Sequence, residues 1–253
     1  MINFFRKIRK KLADDNPTSA KASDGIKTGK YLKYAIGEIV LVVVGILIAL
    51  QINNWNEVRK SKIKAEIFKE KIISDLIKDT LNIETQIGLA KNYRKSIQGY
   101  YTFFESGNKP IGILIDSAMK VPTPLYRYHP INFTFLGMQS SGNLELLTER
   151  ESHSLMELSN TQKQTQNIFE KKISEYFDNK IEREKYLEND LSDSDFYDII
   201  GVEPDDEDLI NGLKYQHHVL KVNDDIHLGM IQQGEIIKEE SKRIISLLKA
   251  NQN

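Results

Sequence analysis

The sequence predicts an all-α protein in which one transmembrane helix is followed by an elongated antiparallel bundle of three long helices plus one or two short ones. Three observations carry this reading. The 22 residues from Tyr31 to Ile52 form the one stretch apolar enough to enter a bilayer. Beyond it, apolar residues recur at helical spacing over long runs, and no alternating strand pattern interrupts them. Glycine, proline and asparagine gather in a few short intervals, which punctuate those runs. A chain of 253 residues with 40% hydrophobic and 28% charged residues is ordinary for a folded protein and excludes disordered or collagen-like classes.

The segments follow in order. MINFFRKIRKKL sets Met1, Phe4, Phe5, Ile8 and Leu12 at helical spacing among five basic residues, the pattern of a short amphipathic helix suited to an anionic membrane surface. Ala13 to Gly29 holds Pro17, Gly25, Gly29 and many small polar residues, and reads as a flexible linker. Residues 1–30 are thus a basic arm and linker, 31–52 the anchor and 53–253 the helical domain.

A 22-residue helix rising about 1.5 Å per residue crosses a hydrocarbon core of about 30 Å. Tyr31 and Tyr34 at one end and Trp55 at the other suit the headgroup level. Some 34 residues precede the run and Leu47 spoils the small-residue cleavage pattern, so the segment reads as an uncleaved anchor rather than a signal peptide. Nine Lys or Arg lie in the first 33 residues, eight before the span and Lys33 at its start, and six follow it within twenty residues, which puts the N-terminus in the cytoplasm and the C-terminal domain in the periplasm of an inner-membrane protein. Within the span, Glu38 costs up to about 3 kcal/mol in lipid unless it snorkels, is protonated or meets a partner. Gly45 and Ala49 make a small-xxx-small pair, common by chance in membrane helices, that could seat a second helix, so Glu38, Gly45 and Ala49 are the candidate helix–helix contact in the membrane.

From Val58 to Phe104 a near-heptad row comprises Leu76, Ile83, Ile87, Ala90, Ile97, Tyr101 and Phe104, with Thr80 and Arg94 as polar interruptions. Ser106, Gly107 and Asn108 stop this helix. Four prolines between 110 and 130 keep the next stretch irregular around a short helix near Ile111 to Met119. A second short helix, Asn132 to Gln139, ends by Gly142. Thr148 and Glu151 have capping-box spacing and open a long helix reaching about Asp190. Ser192 to Asp206 is an acidic loop, and the last helix runs from about Glu207 to Lys249 with Leu209, Leu213, Leu220, Ile231, Ile237, Ile244 and Leu248 on its apolar face.

Charge and composition then exclude several functions. After the anchor the chain holds 26 basic and 32 acidic residues, a net −6 that suits no nucleic acid. The absence of cysteine removes thiol nucleophiles, thiolate metal sites and disulfides. His217, Asp224 and His227 share nearly one helix face and are donors of the type zinc or iron takes. The histidines, however, stand about 15 Å apart along a helix, so these residues read as bundle polars. The acidic loop with Asp193, Asp195 and Asp198 lacks the order of a calcium-binding loop. Ser140, Ser141 and Gly142 lack the nucleophile-elbow form and read as a helix-ending turn. Tyr93, Tyr100, Tyr101, Phe103 and Phe104 read as core packing, with a ligand pocket as the alternative.

The stretches FFRKIRKKL and GKYLKYAIGEIVLVVVGILIALQINNWNE resemble a bacterial family common in flavobacteria and their relatives, catalogued as a domain of unknown function. A looser likeness appears at LGMQSSGNLELLTERE, where Ser141, Gly142, Asn143 and Leu144 match the family's Ser-Gly-x-Leu segment. The resemblance implies a single-pass inner-membrane protein with an extracytoplasmic helical domain, and it brings no catalytic residue or cofactor. The linker Ala13 to Thr28 is longer than the family's. The expectation is therefore a non-enzymatic interaction or sensing module of the envelope, without cofactor or metal. Its partners would be the lipid bilayer and either a second copy or an envelope protein. The alternative is an accessory subunit of an inner-membrane complex, with a metal-dependent enzyme third.

Overall fold

In a computed structural model the described residues are 24–187 and 205–250. They form five α-helices and one 3-10 turn, with no strand among them. We name them α1 (Asp24–Glu105), α2 (Ile111–Met119), α3 (Phe133–Ser140), the 3-10 turn Asn143–Leu146, α4 (Glu149–Glu184) and α5 (Asp206–Ala250). The basic N-terminal segment 1–12, most of the expected linker and the acidic loop up to residue 204 lie outside the described residues. The chain divides into two units, Met1–Lys60 and Ser61–Asn253.

In the first unit, α1 begins at Asp24, so the last six residues of the expected linker are helical. Two glycines there cost about 1 kcal/mol each, but adding a residue to an existing helix also adds a backbone hydrogen bond, and no proline follows Pro17 to forbid it. From Ala35 the helix is long and apolar enough to cross a membrane, and none of its apolar window is buried. Ile39 is 63% exposed and Leu47 54%, values at which no protein surface covers them. Trp55 lies under the Arg59 guanidinium at 5.4 Å, an amphipathic pairing suited to an interface.

The second unit is built on the heptad row. Leu76, Ile83, Ile87, Ala90 and Ile97 are buried as expected, while Tyr101 and Phe104 are half-buried and Tyr100 takes the inner position. Gly107 and Asn108 adopt left-handed backbone (φ 80° and 39°) and end α1. Thr148 and Glu151 close the capping box that begins α4. That helix stops at Glu184, short of the expected Asp190, because the N–H groups of Tyr186 and Leu187 both bond to the Arg183 carbonyl and Leu187 tucks against Gly212 of α5.

Partner residues fix the directions of the long helices. Tyr100, Arg94 and Glu84 of α1 meet His217, Asp224 and Lys238 of α5, so these two run antiparallel. Arg183 and Lys172 of α4 meet Gln216 and Asp225, again antiparallel. Lys69 and Asp79 meet Glu151 and Gln162, so α1 and α4 run parallel. Parallel neighbours require the chain to return between them, and residues 106–148 do this. The stretch 120–132, here called the return segment, passes Tyr176 and Asn223, then Tyr93, then Asp79. The chain then delivers α3 to Asp75, whose carboxylate accepts the Thr134 N–H at 3.0 Å and caps α3 from α1.

Candidate functional site

The three residues His217, Asp224 and His227 lie on one face of α5, but each meets a different partner on α1. Spacings of seven and three along α5 match Tyr100, Arg94 and Tyr93 in reverse order along α1, as two antiparallel helices require. The Tyr100 hydroxyl is 2.5 Å from His217 Nε2, and the Phe104 ring meets the imidazole edge-on at 4.4 Å. Burial lowers the His217 pKa, and neighbouring His218 adds to this. Burial, with Tyr101, pushes Tyr100 up to about 12. Arg94 donates to both oxygens of Asp224, from Nε at 2.7 Å and Nη2 at 3.1 Å, a bidentate geometry that holds the pair against partial exposure. The carboxylate raises the Arg94 pKa through that hydrogen bond.

His227 sits fully buried, stacked on Tyr93 at 5.5 Å and met by the Tyr126 ring of the return segment at 5.3 Å. Neither ring nitrogen has a hydrogen-bond partner among the described residues. Burial lowers its pKa to about 4, with Asp224 opposing and Arg94 assisting. Asn223, one turn earlier, donates to the Pro124 carbonyl at 3.0 Å, while its own oxygen has no partner among the described residues.

A second polar node sits where the return segment crosses α1 and α4. Asp79, with no exposed surface, accepts from the Tyr128 hydroxyl at 2.8 Å, the Ile131 N–H at 3.0 Å and Gln162 Nε2 at 3.0 Å. Gln162 in turn accepts from Asn132 at 2.8 Å. Burial raises the Asp79 pKa despite these three donors. It also raises that of Tyr128, with the Asp79 charge adding to it. Reading for polar breaks in the row singled out Thr80, which is half-buried, and passed over Asp79, which is buried. The signal was present, because Asp79 follows Leu76 by three and precedes Ile83 by four and so belongs to the core face.

The third node joins the start of α4 to α1. Glu151 accepts the Thr148 N–H with one carboxylate oxygen at 2.8 Å and meets the buried Lys69 ammonium with the other at 2.9 Å. Of the remaining expected residues, Ser141 donates to the Gly137 carbonyl at 2.7 Å ahead of left-handed Gly142, the helix-ending turn foreseen for it. Tyr100 and Phe103 border an open depression of about 250 Å³ that also meets Ser96, Ser117 and Lys120. The structure does not gather Tyr93, Tyr101 and Phe104 there. Glu38 and Ala49 are exposed on α1, and nothing lies within 4 Å of where a Gly45 side chain would begin. Among the described residues no three His, Asp or Glu side chains are placed to hold a metal ion.

Residues 38–215 match a family described as of unknown function (DUF6090). The match includes Glu38 to Glu57 and the Ser141–Leu144 segment of the resemblance drawn from the sequence, and excludes FFRKIRKKL. No curated protein and no solved structure matches the chain.

Proposed function

The chain belongs to the family of unknown function DUF6090, and from that premise we propose that it is a membrane-anchored helical module of the bacterial envelope that acts by interaction rather than catalysis. The observation that carries the reading is the apolar run of α1, whose side chains are exposed all round and find no cover among the described residues. Water does not tolerate so long an apolar surface, whereas lipid does. The role by interaction draws support from how the bundle uses its titratable groups. His217 is engaged by Tyr100, Asp224 by Arg94, Asp79 by three donors and Glu151 by Lys69 and its own cap. These contacts position helices.

The test is carbonate extraction of membranes from cells expressing the full chain, paired with alkaline phosphatase or a cytoplasmic fluorescent protein fused at the C-terminus. Retention in the membrane with phosphatase activity is the expected result. Release by carbonate overturns the anchor, and fluorescence alone overturns the periplasmic placement. The open surface at Gly45 favours, as a second reading, a subunit held by neighbouring membrane helices through Glu38, Gly45 and Ala49.

A further inference from the structure

We propose that residues 125–127 form an acid-sensitive hatch over the α1–α5 seam, with Tyr126 closing on neutral His227 and lifting when that imidazole takes a proton. Both ring nitrogens of His227, which the Tyr126 ring meets, are buried without partners among the described residues. They gain water when the stretch lifts. Closed, the His227 ring stacks on Tyr93 at 5.5 Å and meets Tyr126 edge-on at 5.3 Å, the two tyrosines themselves 6.2 Å apart, an aromatic cluster that suits neutral imidazole. An imidazolium there would carry two N–H donors with no acceptor, and a buried charge costs more than the aromatic faces return.

The groups around His227 leave the cation uncompensated. On its own helix Asp224 attracts it, but both oxygens of that carboxylate are engaged by Arg94. From α1 come Tyr93 and the Arg94 guanidinium, whose charge opposes protonation. The return segment contributes Tyr126, while on α4 the charges level with His227, Glu170 and Lys171, are exposed, and Lys172 meets Glu175 and Asp225. The low pKa of His227 follows from this enclosure.

The stretch is tied on both sides by contacts that do not depend on His227. Thr123 and Pro124 are held by Tyr176 and Asn223, and Tyr128 and Ile131 by Asp79. Acidification neutralises Asp79, which relieves a buried charge while weakening the three bonds donated to it, and the second tie then rests also on the burial of Tyr128. Within the stretch Leu125 packs against Tyr176, Val219 and Val222 and Tyr126 also meets Tyr93, so the opening is local to these residues and gives up both contacts.

The chain has no cysteine, so a nitroxide can be placed at Arg127→Cys or His129→Cys, both exposed, on the full chain in detergent micelles. As the pH falls from 7.5 to 4, the Arg127→Cys label should gain a reversible mobile component while the His129→Cys label stays immobile. A free imidazole that titrates near 6.5 against one held at about 4 lets the closed-to-open ratio fall by up to roughly two orders of magnitude. In His227→Phe and His227→Leu backgrounds the mobile component should be absent. An unchanged Arg127→Cys spectrum down to pH 4, or the same transition in both His227 variants, overturns the proposal. Simultaneous loosening at both label sites overturns it as well, because the segment then melts as a whole. If the His227 variants fail to fold, the contrast between the two labels in the native background decides.

Discussion

Replacing Asp79 should separate the role of its acceptors from the role of its charge. Asp79→Ala strands the Tyr128 hydroxyl and the Gln162 amide, both buried, at about 1–3 kcal/mol each. The Ile131 N–H is only partly buried and adds less. Removing a carboxylate whose pKa burial has raised returns part of that loss, which leaves a net cost of about 3 kcal/mol. Asp79→Asn keeps one acceptor oxygen for Tyr128 and Gln162 but turns an amide donor toward the part-buried Ile131 N–H, and should cost about 1 kcal/mol at pH 7, well below the alanine variant. The sign with pH follows from the raised value. The folded protein holds this proton more tightly than the unfolded chain, so the contribution is complete below about pH 3.8. It is lost as pH rises through the folded pKa. The native chain should therefore gain stability relative to Asp79→Asn as the pH falls from 7 towards 4, and the comparison cancels the opposite effect of His227. Urea unfolding of the full chain in detergent, followed by far-UV circular dichroism, measures both quantities. Equal losses in Asp79→Ala and Asp79→Asn, or a native-minus-Asn difference flat in pH, would refute the reasoning.

Glu151→Gln keeps an acceptor for the Thr148 N–H but leaves the buried Lys69 ammonium unpaired, at a cost of about 3 kcal/mol. Adding Lys69→Met should recover more than half of this, and purely additive losses in a double-mutant cycle would contradict it. Gly234→Leu places its Cβ 3.1 Å from Ile83 Cγ2 and Ile87 Cδ1 and should cost at least about 2 kcal/mol. Gly88→Ala, with open space at its Cβ, should gain up to about 1 kcal/mol, and thermal melts of the pair check both signs. If the membrane face of α1 docks a second helix, Gly45→Leu should reduce bilayer crosslinking between copies or with co-purifying membrane proteins at least several-fold while leaving carbonate resistance unchanged. Full crosslinking in that variant removes the face from consideration.

The likeness of 29–57 to a family of unknown function and the match of 38–215 overlap where the sequence signal is strongest, because an apolar run is a contiguous property read from neighbours alone. The same locality explains why the long helices, the capping box at Thr148 and Glu151 and the left-handed stops at Gly107 and Gly142 could be read from the chain. Each depends on residues within about one helical turn. The inner faces of α1 and α5 followed from periodicity for the same reason, with errors such as Tyr101 for Tyr100 where adjacent residues were equally apolar.

The node at Asp79 and the fate of His217, Asp224 and His227 were decided elsewhere. Their partners lie 49 to 134 residues away in sequence, and no spacing along one helix says which residue of another will face it. The sequence by itself determined an all-helical chain with an apolar segment long enough to span a membrane and three long amphipathic helices. Only the tertiary structure decided that α1 and α4 run parallel, because that direction depends on the return path of residues 106–148. It also decided that buried polar groups would be divided among separate contacts, because burial makes every donor and acceptor answer to whichever element packs against it.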